Sequence, residues 1–218
     1  AWRAIAVVAR RGGSGRSELL EPPFVGRDED LRLLKDLFEA TGRERKSRLI
    51  SVIGQAGIGK TRLSWEFEKY LDGVVDTAYW HEGRSPSYGE GVSYWALVEM
   101  VRRRAGIGEG DDDETVRAAL NAMLEQFVPD AAERRLLAPR LAGLLGIEEL
   151  PSESREELFA AWRTFFQRMA EQAPVIMVFT DLQWADQGML DFVESLLTWA
   201  RNEPIFVVAL SRPELMER

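Results

Sequence analysis

The sequence predicts an α/β fold built on a mainly parallel sheet, and three observations carry that expectation. Short β-branched apolar runs alternate along the chain with longer segments of helical periodicity. One run, Val175 to Phe179, is apolar at every position, as a strand covered on both faces would be. The 218 residues, 45% hydrophobic and 29% charged, suit one sizeable globular domain, and seven tryptophans are foreign to a disordered chain.

The opening reads differently. A Gly/Ser/Arg stretch from Arg10 to Ser17, followed by Glu21-Pro22-Pro23, predicts a linker over residues 1–21, with the domain over 22–218. The absence of an initial methionine suits a piece of a longer protein. Beyond Pro23, Leu31, Leu34, Leu37 and Phe38 fall at helical spacing behind the acidic turn Asp28 to Asp30, predicting an amphipathic helix. LISVIG (Leu49 to Gly54) is a short strand ending at glycine, and Thr61 to Leu71 resumes the helical period. Thr77 to Glu82 is a second strand candidate. Tyr94 to Gln172 reads as helices broken near Gly106 to Asp113, at Pro129 and at Gly146 to Ser154. Ser154 with Glu157 predicts a capping box for the last of them. After the third strand, Asp186 caps a helix through Trp199, and Ile205 to Leu210 is a fourth buried strand.

Composition narrows the chemistry. With no cysteine and one histidine, His81, the chain has no thiolate or histidine cluster for a metal and no cysteine nucleophile. A net charge of −8 argues against an extended nucleic-acid footprint. The run Arg102-Arg103-Arg104 is expected to be a solvent-facing helix end that complements the dipole. No apolar run approaches the roughly 20 residues of a membrane helix.

Of the 28 basic residues only four are lysines, and one of these completes a motif. Gly54-Gln55-Ala56-Gly57-Ile58-Gly59-Lys60-Thr61 fits G-x-x-x-x-G-K-[ST] between a strand and a helix. Glycines let backbone N–H groups close around an anion, and the helix N-terminus adds its positive end. Lys60 is then expected at the β- and γ-phosphates and Thr61 at a magnesium ion. Such a loop also needs a carboxylate at a neighbouring strand end. Asp181 stands there, after Thr180, where many related ATPases carry two adjacent acids.

Four segments in this order resemble the nucleotide-binding domain of STAND signalling ATPases, a branch close to AAA+ and origin-recognition-type proteins. They are FVGRDEDL (Phe24 to Leu31), GQAGIGKTRL (Gly54 to Leu63), VFTDLQWAD (Val178 to Asp186) and ALSRPEL (Ala209 to Leu215). RSPSYGEGVSYWAL (Arg84 to Leu97) looks like the subgroup found in bacterial multidomain regulators with nucleotide cyclase or LuxR-type output domains. The resemblance implies a P-loop NTPase three-layer sandwich with an inserted helical region. Its sheet order would be 5-1-4-3-2, of which four strands are countable here in the order 1-4-3-2, so the domain is expected to be incomplete at its C-terminus.

The same resemblance puts Val25, Gly26 and Arg27 beside adenine and ribose. It puts Gly54, Ala56, Gly57, Ile58, Gly59, Lys60, Thr61 and Arg62 around the phosphates, Thr61 and Asp181 at magnesium, and Arg212 at the γ-phosphate. Lys60, Asp181 and Arg212 are the expected catalytic set. Trp184 is expected to pack, and Gln183 stands where the subgroup often has histidine. The implied function is ATP–Mg²⁺ binding with slow hydrolysis as a cytoplasmic switch. It would work with ATP or ADP, with other domains of the same protein and through ATP-dependent oligomerisation, without direct nucleic-acid or membrane contact. A module that holds nucleotide without turning it over is the alternative, motivated by Thr180. A guanine-reading Asn-Lys-x-Asp motif is missing, which weakens a GTPase reading.

Overall fold

A computed structural model describes residues 23–74, 77–87, 93–149 and 154–217. The expected linker over 1–21 and part of the Arg84 to Leu97 segment lie outside these. Four strands, β1 (Arg48–Ile53), β2 (Tyr79–Arg84), β3 (Val175–Thr180) and β4 (Ile205–Ser211), form one sheet. Every pairing is parallel, in the order β1-β4-β3-β2, as expected. Among the described residues seven α-helices accompany them: α1 (Asp28–Glu44), α2 (Lys60–Val74), α3 (Trp95–Ala105), α4 (Asp113–Phe127), α5 (Ala131–Leu144), α6 (Arg155–Gln172) and α7 (Gln187–Trp199).

The layers follow from strand alternation. In β3, Ile176 and Val178 join Phe206, Val208 and Leu210 of β4 in a core closed by α1 and α2, centred on Phe38 and Phe67. The intervening Val175, Met177 and Phe179 face the opposite core, built by α3 to α7 around Trp162, Phe165, Phe166 and Phe192. Period-two alternation thus splits one apolar strand between two cores, giving the three-layer sandwich with α3 to α6 as its inserted helical region. Each fully buried aromatic contributes about 1.5–3 kcal/mol by leaving water.

Helix starts are set by side chains. Asp112, Asp130, Ser154 and Asp186 each accept a bond from the backbone N–H three residues on, capping α4, α5, α6 and α7. Such a cap contributes about 1 kcal/mol. The capping box of Ser154 and Glu157 is formed in both directions. Asp186 does more than cap: its second oxygen accepts from the Tyr94 N–H at 3.1 Å and ties the entry of α3 to that of α7.

Two expectations change. β2 starts at Tyr79 and runs to Arg84, past the expected end at Glu82, because Gly83 belongs to the strand. A Cβ at Gly83 would lie 2.0 Å from the Ala96 carbonyl oxygen, so only glycine lets α3 pack this closely. The three arginines ending α3 do more than face solvent. Arg104 Nε donates to His81 Nε2 at 3.1 Å and its Nη2 to the Trp80 carbonyl at 3.1 Å. Arg103 donates to the Glu82 carbonyl at 3.3 Å and to Glu99 Oε1 at 2.6 Å. Glu99 Oε2 in turn accepts the Arg84 N–H at 2.8 Å. The Trp80 and Glu82 carbonyls and the Arg84 N–H lie on the edge of β2 turned away from β3, so α3 supplies partners to that free edge.

Candidate nucleotide site

The loop joining β1 to α2 extends the sheet by one bond, from the Gly54 N–H to the Ser211 carbonyl at 3.2 Å, and then turns. Gly57 (φ +79°) and Gly59 (φ +94°) occupy the left-handed region, where a side chain would be strained. The chain enters α2 through the Leu63 N–H to Gly59 carbonyl bond at 3.0 Å. Lys60 folds back over the loop, its Nζ donating to the Gly54 carbonyl at 2.6 Å and the Gln55 carbonyl at 3.0 Å. Ala56, Ile58 and Thr61 are exposed on the loop and first turn.

Arg27 arrives from the other side. It precedes α1, and its Nε lies 4.0 Å from the place a Gly59 Cβ would take, so the start of α1 sits over the loop. Its guanidinium also faces Asp30 at 3.6 Å. Gly26 next to it has φ +76°, and Val25 is 74% exposed. Arg62 is turned along α2, held by Glu66 at 2.6 Å and stacked 4.4 Å over Trp65, so its side chain is directed away from the loop's glycines.

Asp181 follows β3 with φ +57°, a strained left-handed position that swings its carboxylate off the strand axis. Arg84 Nε donates to its Oδ2 at 2.8 Å and Gln183 Nε2 to its Oδ1 at 3.2 Å. Gln183 Oε1 accepts the Arg212 N–H at 3.0 Å, so one buried amide bridges Asp181 and the segment after β4. Only the backbone of Arg212 enters this bridge. Trp184, expected to pack, is 49% exposed, because the short 3₁₀ turn Leu182–Trp184 buries its two neighbours instead.

Thr61, Thr180 and Asp181 line a cleft of about 450 Å³, shared with Glu82, Arg84, Glu99 and Arg103. Burial raises the Glu82 carboxyl above its ordinary range, with Glu99 adding to that and Arg103 opposing it. A second cleft of about 370 Å³ continues along β2 past Glu68, Trp80 and His81. Hydroxyl and carboxylate oxygens at the first cleft fit a hard, oxygen-seeking cation such as Mg²⁺. Among the described residues no group of three or more acidic or histidine side chains could cage a metal.

A family model described as AAA ATPase domain matches residues 23–208. The chain belongs to the AAA ATPase domain family. The match runs from the turn before α1 through most of β4, and so takes in the phosphate loop and Asp181. As an AAA ATPase domain the chain has the P-loop NTPase fold and the ATP-binding class of site. A search among curated proteins found no match. Among the described residues no helix is long and apolar enough to cross a membrane.

Sequence reasoning did not select Arg84, Glu82, Glu99 or Arg103. A usable signal was present: ligands of open α/β sheets bind at the carboxyl ends of the strands, and β2 ends at Arg84. Ending that strand two residues early hid it.

Proposed function

We propose that this AAA ATPase domain binds ATP with Mg²⁺ and hydrolyses it slowly, serving as a switch within a larger signalling or transcription regulator of STAND type. The observation that carries the proposal is that Thr61, the last residue of the phosphate loop, lines one cleft with Thr180 and Asp181 at the carboxyl ends of parallel strands. Gly54, Ala56, Gly57, Ile58 and Gly59 would offer the loop backbone to the phosphates, with Arg62 contributing its first-turn N–H. Lys60 exchanges the Gly54 and Gln55 carbonyls for the β- and γ-phosphate oxygens. Val25, Gly26 and Arg27 flank the nucleoside. Thr61 and Asp181 would hold Mg²⁺, which supplies positive charge against the phosphates. Arg212 reads the γ-phosphate, and the Gln183 bridge couples that reading to Asp181.

The switch would act on other domains of the same protein or on ATP-dependent self-assembly, in the cytoplasm, without touching nucleic acid or membrane itself. Thr180 favours a second reading, a module that holds ATP or ADP without turnover. Phosphate release by the purified chain separates the two. Competition between ATP and GTP for the site tests the base: ATP is expected to win, and GTP displacing ATP would remove the adenine assignment.

A further inference from the structure

Thr180 leaves one strand-end carboxylate at the cleft, Asp181, and both its oxygens accept hydrogen bonds, from Arg84 and Gln183. A further carboxylate reaches the cleft from the neighbouring strand. In the parallel register of β2 on β3, Glu82 pairs with Val178 and Arg84 with Thr180. Side chains two apart on a strand share a face, so Glu82 projects on the face that carries Val178 and Thr180. Trp80, two residues earlier, marks that face as the one covered by α2, its ring 6.0 Å from Phe67. At about 3.3 Å per residue along a strand and about 4.8 Å between strands, the Glu82 Cα lies about 8 Å from that of Thr180. Glu82 lines the same cleft as Thr61 and Thr180. Glu99 also faces it, but its two oxygens are committed to the Arg84 N–H and to Arg103.

We propose that Glu82 supplies, from the adjacent strand, the carboxylate that position 180 lacks, acting as the base for the water that attacks ATP. This rests on the proposed binding of ATP at the phosphate loop. The water oxygen bonds to the γ-phosphorus while the bond from that phosphorus to the β–γ bridging oxygen breaks. The bridging oxygen departs on ADP with the electron pair, and one water proton passes to a Glu82 carboxylate oxygen and then to solvent. The backbone of β2 is held for this task by the α3 clamp on Glu82 and Arg84.

The test compares the 218-residue chain with Glu82→Gln and with Glu82→Gln combined with Thr180→Glu. Three quantities are measured: ATP–Mg²⁺ affinity by calorimetry, affinity for ADP with aluminium fluoride, and phosphate release. Glu82→Gln is expected to keep its ATP affinity, to lose the extra affinity for the aluminium fluoride complex, and to release phosphate about 10²-fold more slowly or worse. Adding Thr180→Glu is expected to restore release. Unchanged release in Glu82→Gln overturns the proposal, and so does an unmodified chain that binds ATP but releases no phosphate. Loss of ATP affinity in Glu82→Gln makes it a ligand or fold residue and overturns the assignment as a base. An unmodified chain that binds no ATP refutes the nucleotide reading itself, and this proposal falls with it.

Discussion

Arg84 Nε and Asp181 Oδ2 stand 2.8 Å apart, joining the end of β2 to the first residue after β3 inside the cleft that holds Thr61. The carboxylate expected at Mg²⁺ is therefore already paired with a cation. The Arg84 side chain is 69% exposed and that of Asp181 30%, so the pair contributes no more than about 1 kcal/mol.

A weak competitor still shifts a binding equilibrium. Arg84→Ala is expected to lower the Mg²⁺ concentration for half-maximal ADP binding by about two- to fivefold, the equivalent of an exposed ion pair. ADP is chosen because it lacks a γ-phosphate that Arg84 could also reach. A magnesium titration with a fluorescent ADP analogue reads the effect, and an increased requirement would contradict the competition.

The free edge of β2 depends on α3. Arg104 serves both His81 and the Trp80 carbonyl, so Arg104→Ala leaves a partly buried carbonyl and a ring nitrogen without that donor. A loss of about 1–3 kcal/mol is expected, together with a greater tendency to associate through the exposed edge. Urea unfolding with light scattering checks both, and an unchanged urea midpoint counts against the clamp.

Gly83→Ala places a methyl group against the Ala96 carbonyl at 2.0 Å, a contact with backbone that cannot yield cheaply. The expected cost is about 1–3 kcal/mol, or more if α3 must shift. Thermal unfolding gives the number; a melting temperature equal to that of the unmodified chain would show that α3 packs less closely on β2.

Glu82 titrates above its ordinary carboxyl range in the folded chain because burial disfavours its charge, aided by Glu99 and opposed by Arg103. The folded chain then holds this proton more tightly than the unfolded one, so stability falls as pH rises from the unfolded carboxyl range to the folded one. Glu82→Gln removes the cost of the buried charge. It is expected to raise the melting temperature at neutral pH and to change little at acid pH, where the carboxyl is protonated in both states. A larger gain at acid pH than at neutral pH reverses the sign and refutes the account. The base role proposed for Glu82 would thus be a residue that weakens the fold.

The sheet and its helices were legible because their signals are local. Strand β3 is apolar throughout, α6 opens on Ser154 with Glu157, and the phosphate loop is written in consecutive residues from Gly54 to Thr61. Half of the cleft was not legible for the opposite reason. Arg84 lies 97 positions from Asp181, and Glu82 meets Thr61 and Thr180 only through the parallel register of β2 on β3. Gly83 disguised the strand end that brings them together, although the close approach of α3 is what requires glycine there. The arginine run after Val101 was visible, but its targets are carbonyls on β2, which no side-chain pattern announces.

The claim on which the rest depends is that the loop from Gly54 to Thr61 holds the phosphates of ATP. Calorimetric titration of ATP–Mg²⁺ into the chain and into Lys60→Ala tests it, with far-ultraviolet circular dichroism as the control for folding. Among the described residues Lys60 bonds the loop carbonyls of Gly54 and Gln55, so its removal is expected to leave the fold intact. Affinity is expected to fall about tenfold to a hundredfold, the scale of a lost charge-assisted phosphate contact. Equal ATP affinity in the two folded proteins would contradict the phosphate-loop assignment.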